Sequence, residues 1–190
     1  MKGERGRQGM IEIRWHGRGG QGAVTSVELL ALAAIDEGKY AQGFPSFGPE
    51  RRGAPVAAFN RVDSERIRIR SGIYHPDVVV VLDESLIGLV NVTEGLKPGG
   101  KLIVNTSKKA ADVMKILNYS GAIATVDATG IAWKELGVPI TNTTMLGALV
   151  KVTGVVGLDA LAGPVEHRFG RIASKNMAAL KRAFDEVKIN

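Results

Sequence analysis

Four glycines within six residues, Gly17-Arg18-Gly19-Gly20-Gln21-Gly22, are the part of this chain best suited to chemistry. Glycine lets another group come close to the backbone and tolerates conformations that other residues avoid. An apolar strand, Met10–His16, precedes the run, and a helical pattern from about Ala23 to Glu37 follows it. Bare amides at a helix start, backed by the helix dipole, favour an anion. A second run, Gly43-Phe44-Pro45-Ser46-Phe47-Gly48-Pro49-Glu50-Arg51-Arg52-Gly53-Ala54-Pro55, lies about thirty residues on. Its phenylalanines and prolines predict an ordered loop that holds Arg51 and Arg52 in place. Rigid guanidinium groups suit two-pronged contacts with carboxylates or phosphates.

The glycine run also fits the dinucleotide fingerprint G-x-G-x-x-G through Gly17, Gly19 and Gly22. That fingerprint requires an acidic residue at the end of the next strand to hold ribose hydroxyls. The position falls near Gly43-Phe44-Pro45, which has no acid. Four readings stay open: a nicotinamide or flavin site, another phosphate-bearing ligand, close docking of another subunit, or glycines that only let strand and helix pack. The Glu50-Arg51-Arg52-Gly53 segment is read as a binding or interface element rather than a solvated charge cluster. His16, His75 and His167 show no metal-ligand spacing. No serine has a nucleophile-elbow context, and no catalytic constellation or metal site is assigned.

The elements that must position these residues alternate between strand and helix patterns, which predicts an α/β layered domain. The helix after the glycine run should bury Val24, Val27, Leu30, Ala31 and Ala34, with a stop at Gly38. A strand is expected over Lys39–Phe44. Val56–Val62 and Arg66–Arg70 read as an antiparallel pair, the second alternating arginine with isoleucine. Val78–Leu82 is continuously apolar, as in a parallel strand covered on both sides. Helices near Ser85–Gly95 and Lys109–Leu117 and strands Lys101–Asn105 and Ala122–Val126 follow. Asp83, Asn105 and Asp127 recur every 22 residues at strand ends. That spacing places them along the carboxyl edge of one sheet, where open α/β sheets bind ligands. Asp83 and Asp127 equally suit caps for the helices that follow them. The last third reads as helical. One apolar stripe is Met145, Leu149, Val152 and Val156; another is Ala173, Met177, Leu180, Phe184 and Val187, fit to cover the sheet or a partner.

The 190 residues fit a single domain, residues 10–190, behind a flexible N-terminal tail, residues 1–9. No window is apolar enough for a membrane span, and the first residues lack a signal-peptide core. Cysteine is absent, which excludes disulfides, thiolate-held iron–sulfur clusters and a cysteine nucleophile from this chain and fits a reducing, cytoplasmic setting. The net charge of +6 suits an anionic ligand or an acidic partner surface. Dispersed basic residues and only 5% aromatics argue against nucleic acid.

Four segments together carry a family resemblance: Arg14–Ala23, Phe47–Pro55, Pro76–Asp83 and Asn142–Ala148. From Ile11 to about Val187 the chain resembles the gamma subunit of the 2-oxoacid:ferredoxin oxidoreductases, the group that includes pyruvate synthase. The resemblance implies a cytoplasmic complex of alpha, beta, gamma and delta subunits that converts a 2-oxoacid, coenzyme A and oxidised ferredoxin to acyl-CoA, carbon dioxide and reduced ferredoxin. Thiamine diphosphate, magnesium and 4Fe-4S clusters would belong to the partner subunits. It implies a Rossmann-like domain, with a mostly parallel central sheet, an antiparallel hairpin and a helical C-terminal third. Such a chain binds no cofactor alone and helps to complete the coenzyme A side of the active site. The chain has no Gly-Asp-Gly segment for a magnesium diphosphate, in keeping with that division of labour. On this reading Gly17, Arg18, Gly19, Gly20, Gln21 and Gly22 form the cofactor-facing loop. Phe47, Glu50, Arg51 and Arg52 lie near coenzyme A or at a subunit interface. The isolated chain is expected to be inactive. The competing expectation is a stand-alone Rossmann-type nucleotide-binding module.

Overall fold

The structure is a computed structural model, and it describes residues 9–46 and 53–190. Seven strands form one sheet in the order β2-β3-β1-β4-β5-β6-β7. Its parallel core comprises β1 (Ile11–Arg18), β4 (Val78–Val81), β5 (Lys101–Asn105) and β6 (Ala122–Val126). On one flank, β2 (Tyr40–Pro45) and β3 (Pro55–Asp63) run antiparallel; on the other, β7 (Lys188–Ile189) does so. The α/β class and the antiparallel part expected from the sequence are therefore present. Among the described residues no helix is long and apolar enough to cross a membrane.

The parallel core is apolar on both faces because helices cover both. On one face Ile13, Trp15, Val80, Leu82, Ile103 and Val126 join a large cluster with α1 (Ala23–Asp36), α3 (Ala128–Leu136), α4 (Asn142–Thr153), α5 (Ala162–Phe169) and α6 (Ala173–Glu186). On the other, Val79, Val81, Leu102, Val104 and Ile123 meet α2 (Ala110–Leu117), with Leu86 and Val92. Each such aliphatic side chain contributes about 1.5–3 kcal/mol on burial. Trp15, fully buried, donates from Nε1 to Asn60 Oδ1 at 2.9 Å, and Asn60 Nδ2 donates to Val27 O at 3.0 Å. One satisfied polar chain thus ties β1, β3 and α1 together.

Three expectations change in the folded chain. Arg66–Arg70 is not a strand. A strand has two edges, and β1 and β2 occupy both edges of β3. The displaced segment instead accepts a hydrogen bond from Gln42 at Ile69 O. Residues 85–95 hold a 3-10 turn, Glu84–Leu86, followed by further turns rather than an α-helix. Gly88 and Gly95 sit at φ 92° and 67°, in the left-handed region that breaks a helix. A Cβ on Gly95 would collide with Tyr74 O, so this turn needs glycine. Arg14 pins the segment, donating from Nη2 to Glu94 O at 2.6 Å and Val92 O at 3.0 Å. Finally, α1 is rolled about its axis: Leu29 and Ala33 are buried beside Val27, Leu30 and Ala34, while Val24 is 37% exposed. The two C-terminal stripes cover the chain's own core, with α4 buried along nearly its whole length.

Candidate functional site

Strand β1 delivers Gly17 to the carboxyl edge of the parallel core, and its antiparallel ladder with β3 continues to Arg18 opposite Pro55. Beyond that rung the backbone keeps pairing. Gly19 N donates to Ala54 O at 2.9 Å, and Gly53 N donates to Gly19 O at 3.1 Å. Arg18 Nη1 adds a bond to Gly53 O at 2.9 Å. The far side of the same loop is tied by Ser46 N donating to Ala57 O at 2.8 Å. The two runs singled out in the sequence are therefore fastened side by side. Phe47, Glu50, Arg51 and Arg52 themselves lie outside the described residues, between those two ties.

The amides of the glycine turn divide into two sets. Arg18 N donates to Gln21 Oε1 at 2.7 Å, Gly19 N to Ala54 O, and Gln21 N to Arg18 O at 3.0 Å. Gly20, Gly22 and the first turn of α1 have amides with no partner among the described residues. Gly22 is the N-cap of α1, left-handed at φ 82°, and no side chain caps the helix. The donors open to an anion thus belong to Gly20, Gly22 and the start of α1, whereas Gly19 is engaged within the fold.

Arg18 is engaged as well. Its Nε lies 3.3 Å from Asp83 Oδ2, and its Nη2 donates to Ser85 Oγ at 2.8 Å. Asp83, at the end of β4, also accepts from Gln21 Nε2 at 2.6 Å and Ser85 N at 2.9 Å. Burial pulls the Asp83 carboxyl upward. The bonds from Ser85 and Gln21 and the charge of Arg18 outweigh it, and the group sits below its ordinary pKa. Arg18, Gln21 and Asp83 form one network that holds the glycine turn against the sheet.

A cavity of about 440 Å³ opens at the ends of β4, β5 and β6, where Gln21, Asp83, Asn105, Thr106, Asp127 and Thr141 meet. The 22-residue repeat does bring its three polar ends to one place. Two of them work locally as caps: Asp83 for the 3-10 turn and Asp127 for α3, accepting from Gly130 N at 2.8 Å. Asn105 bridges neighbouring elements, donating to Leu82 O at 2.8 Å and accepting from Thr129 N at 3.2 Å. Glu84 is drawn below its usual pKa by Lys108 and by Thr106, whose hydroxyl it accepts.

His16 lies in β1, two residues before its end. Burial first, and then the neighbouring charge of Arg14, lower its pKa to about 4, so the ring is neutral at pH 7. Its Nε2 is buried without a hydrogen-bond partner among the described residues.

Sequence reasoning counted Asn142 only within a family segment and gave it no place at the glycine turn. A Cβ on Gly22 would stand 2.5 Å from Asn142 Nδ2, and Ser26 Oγ donates to Asn142 O at 3.2 Å. Residues 116 positions apart thus bring the start of α4 against the start of α1. The signal available was the Asn142-Thr143-Thr144 polar run ahead of an apolar helix. The dinucleotide reading loses its geometric basis here: the strand beside β1 on that side is antiparallel β3, where the fingerprint needs a parallel, acid-ended strand.

A family model described as pyruvate ferredoxin/flavodoxin oxidoreductase matches residues 12–186. The chain is 55% identical over 182 residues to the pyruvate/ketoisovalerate oxidoreductases common subunit gamma of Thermococcus kodakarensis, covering 95% of this chain and 98% of that one. The crystal structure of pyruvate oxidoreductase subunit PorC from Thermotoga maritima superposes with a TM-score of 0.86 at 44% identity, over 96% of this chain and 99% of that one. The 2-oxoglutarate:ferredoxin oxidoreductase from Magnetococcus marinus, solved with 2-oxoglutarate, coenzyme A and succinyl-CoA bound, shares the fold at 20% identity (TM-score 0.71). That match spans 94% of this chain and 30% of that one.

Proposed function

Because the chain belongs to the pyruvate ferredoxin/flavodoxin oxidoreductase family, we propose that it is the gamma subunit of a 2-oxoacid:ferredoxin oxidoreductase, acting on pyruvate in the assembled complex. The chemistry at the oxo carbon belongs to thiamine diphosphate, magnesium and 4Fe-4S clusters in the alpha, beta and delta companions. This chain supplies no cysteine for a cluster and does not turn over alone. Its contribution is to the coenzyme A side of the site. Gly20, Gly22 and the first turn of α1 offer amides to a phosphate, and Arg51 and Arg52 add charge to the same ligand.

The single observation behind this reading is the fastening of the two runs, through Gly19, Gly53, Ala54 and Arg18. It ties the turn that carries the free amides to the end of the segment whose sequence contains Arg51 and Arg52. Each charge-assisted contact is worth about 1.5–3 kcal/mol. The test is Arg51→Ala and Arg52→Ala in the assembled enzyme. The coenzyme A Michaelis constant should rise about tenfold or more, with that for pyruvate and the subunit stoichiometry unchanged. An unaltered coenzyme A constant in a fully assembled enzyme removes the reading. The alternative of a stand-alone nucleotide-binding module requires strong thermal stabilisation of the isolated chain by NAD or FAD.

A further inference from the structure

The end of α3, the connection to α4 and the start of α6 enclose an apolar groove that the glycine turn does not use. Leu136, Val138, Ile140, Phe169 and Ile172 line it with Asn142, around a cavity of about 110 Å³. Val138 is 42% exposed, Ile140 45% and Ile172 51%. Trp133, one turn before Leu136 on α3, is 56% exposed. Large apolar groups clustered in this way mark an interaction surface rather than ordinary solvent-facing scatter.

Two further observations describe what fits there. Asn142 is 4% exposed, and its Oδ1 accepts from Thr143 N at 2.8 Å. Its Nδ2 lies close to Gly22 of the glycine turn. The surroundings are basic. Lys175 lines the groove, and Lys134, Arg168 and Arg171 stand within two residues of its lining in the chain; all four are exposed, with no ion pair among the described residues. The carboxylates on the same stretches are Glu166 and Glu135, and Glu135 is paired with Arg182 at 3.0 Å. A second copy of the chain would bring the same positive rim against itself, which disfavours self-association here.

We propose that this groove docks a companion subunit through an apolar side chain flanked by carboxylates. The proposal rests on the chain being one subunit of a complex and is independent of the coenzyme A reading.

The test is co-purification of the complex with the gamma chain as Ile172→Glu, and separately as the Arg171→Glu, Lys175→Glu pair. Both changes sit on the surface, so the thermal midpoint of the full-length gamma chain should stay within a few degrees of wild type. Companion subunits recovered with Ile172→Glu should fall about tenfold or more, as for an anchor at the centre of an interface. The charge-reversed pair should lower recovery less, with a loss that shrinks in high salt. Should Ile172→Glu fold poorly, Ile172→Ala carries the same expectation at smaller size. Full stoichiometric assembly from all these variants overturns the proposal, whatever the coenzyme A Michaelis constant of the product. So does a wild-type gamma homodimer that Ile172→Glu abolishes.

Discussion

His16 shows at the scale of one residue how burial turns a titratable group into a fixed one. Its folded pKa of about 4 lies below the ordinary histidine value of 6.5. Between those values the unfolded chain binds a proton that the folded chain refuses, so stability rises with pH across the window. That contribution is complete above about pH 6.5 and is lost as pH falls toward 4, with an upper bound of about 3–4 kcal/mol. Replacing His16 with Gln removes the titration. Melting curves from pH 7 to pH 4 should fall more steeply for the wild type than for the variant, and parallel curves would refute the buried neutral ring. Asp83, Glu84 and Glu37 also sit below their ordinary values, so their contributions are lost at the acid end in both proteins and cancel in the comparison.

Among elements, the approach of α4 to α6 is the least forgiving. Gly147 is fully helical and has an ordinary backbone, yet a Cβ there would collide with Leu180 O, a backbone atom that cannot swing aside. Gly20 is the opposite case: its φ is 92°, but no atom lies within 4 Å of a Cβ placed there. Gly147→Ala should therefore cost more than about 3 kcal/mol, or prevent folding. Gly20→Ala should cost only the left-handed backbone penalty of about 1–2 kcal/mol. Urea unfolding of the two variants ranks them, and a reversed order would mean that α4 and α6 can slide apart. The Gly147 contact was invisible in the sequence, because an isolated glycine in an apolar helix does not announce which backbone it faces. Gly38 was easier, since it follows α1 at the position where a stop belongs and is left-handed there.

For the molecule as a whole, charge sets how it meets its companions. A net +6, with a basic rim around the apolar groove, predicts association steered by acidic surfaces. The rate at which the gamma chain joins its companions should fall about tenfold or more as salt rises from about 50 to 500 mM, while dissociation changes less. Stopped-flow mixing would measure it, and a salt-independent rate would sink the steering argument.

Local pattern alone determined the strands Lys101–Asn105 and Ala122–Val126, the polar residues that end them, the glycine turn between β1 and α1, and the family they point to. Those features depend on neighbours in the chain, and period and turn chemistry report them. What only the folded chain decided depends on partners far away. β2 took the edge of β3 that Arg66–Arg70 was expected to fill. Asp83 claimed the charge of Arg18, and Ala54 claimed the amide of Gly19. Asn142 came to rest against Gly22. A hydrogen-bond donor or a strand edge can be satisfied only once, and which of several eligible partners takes it is settled when the layers close.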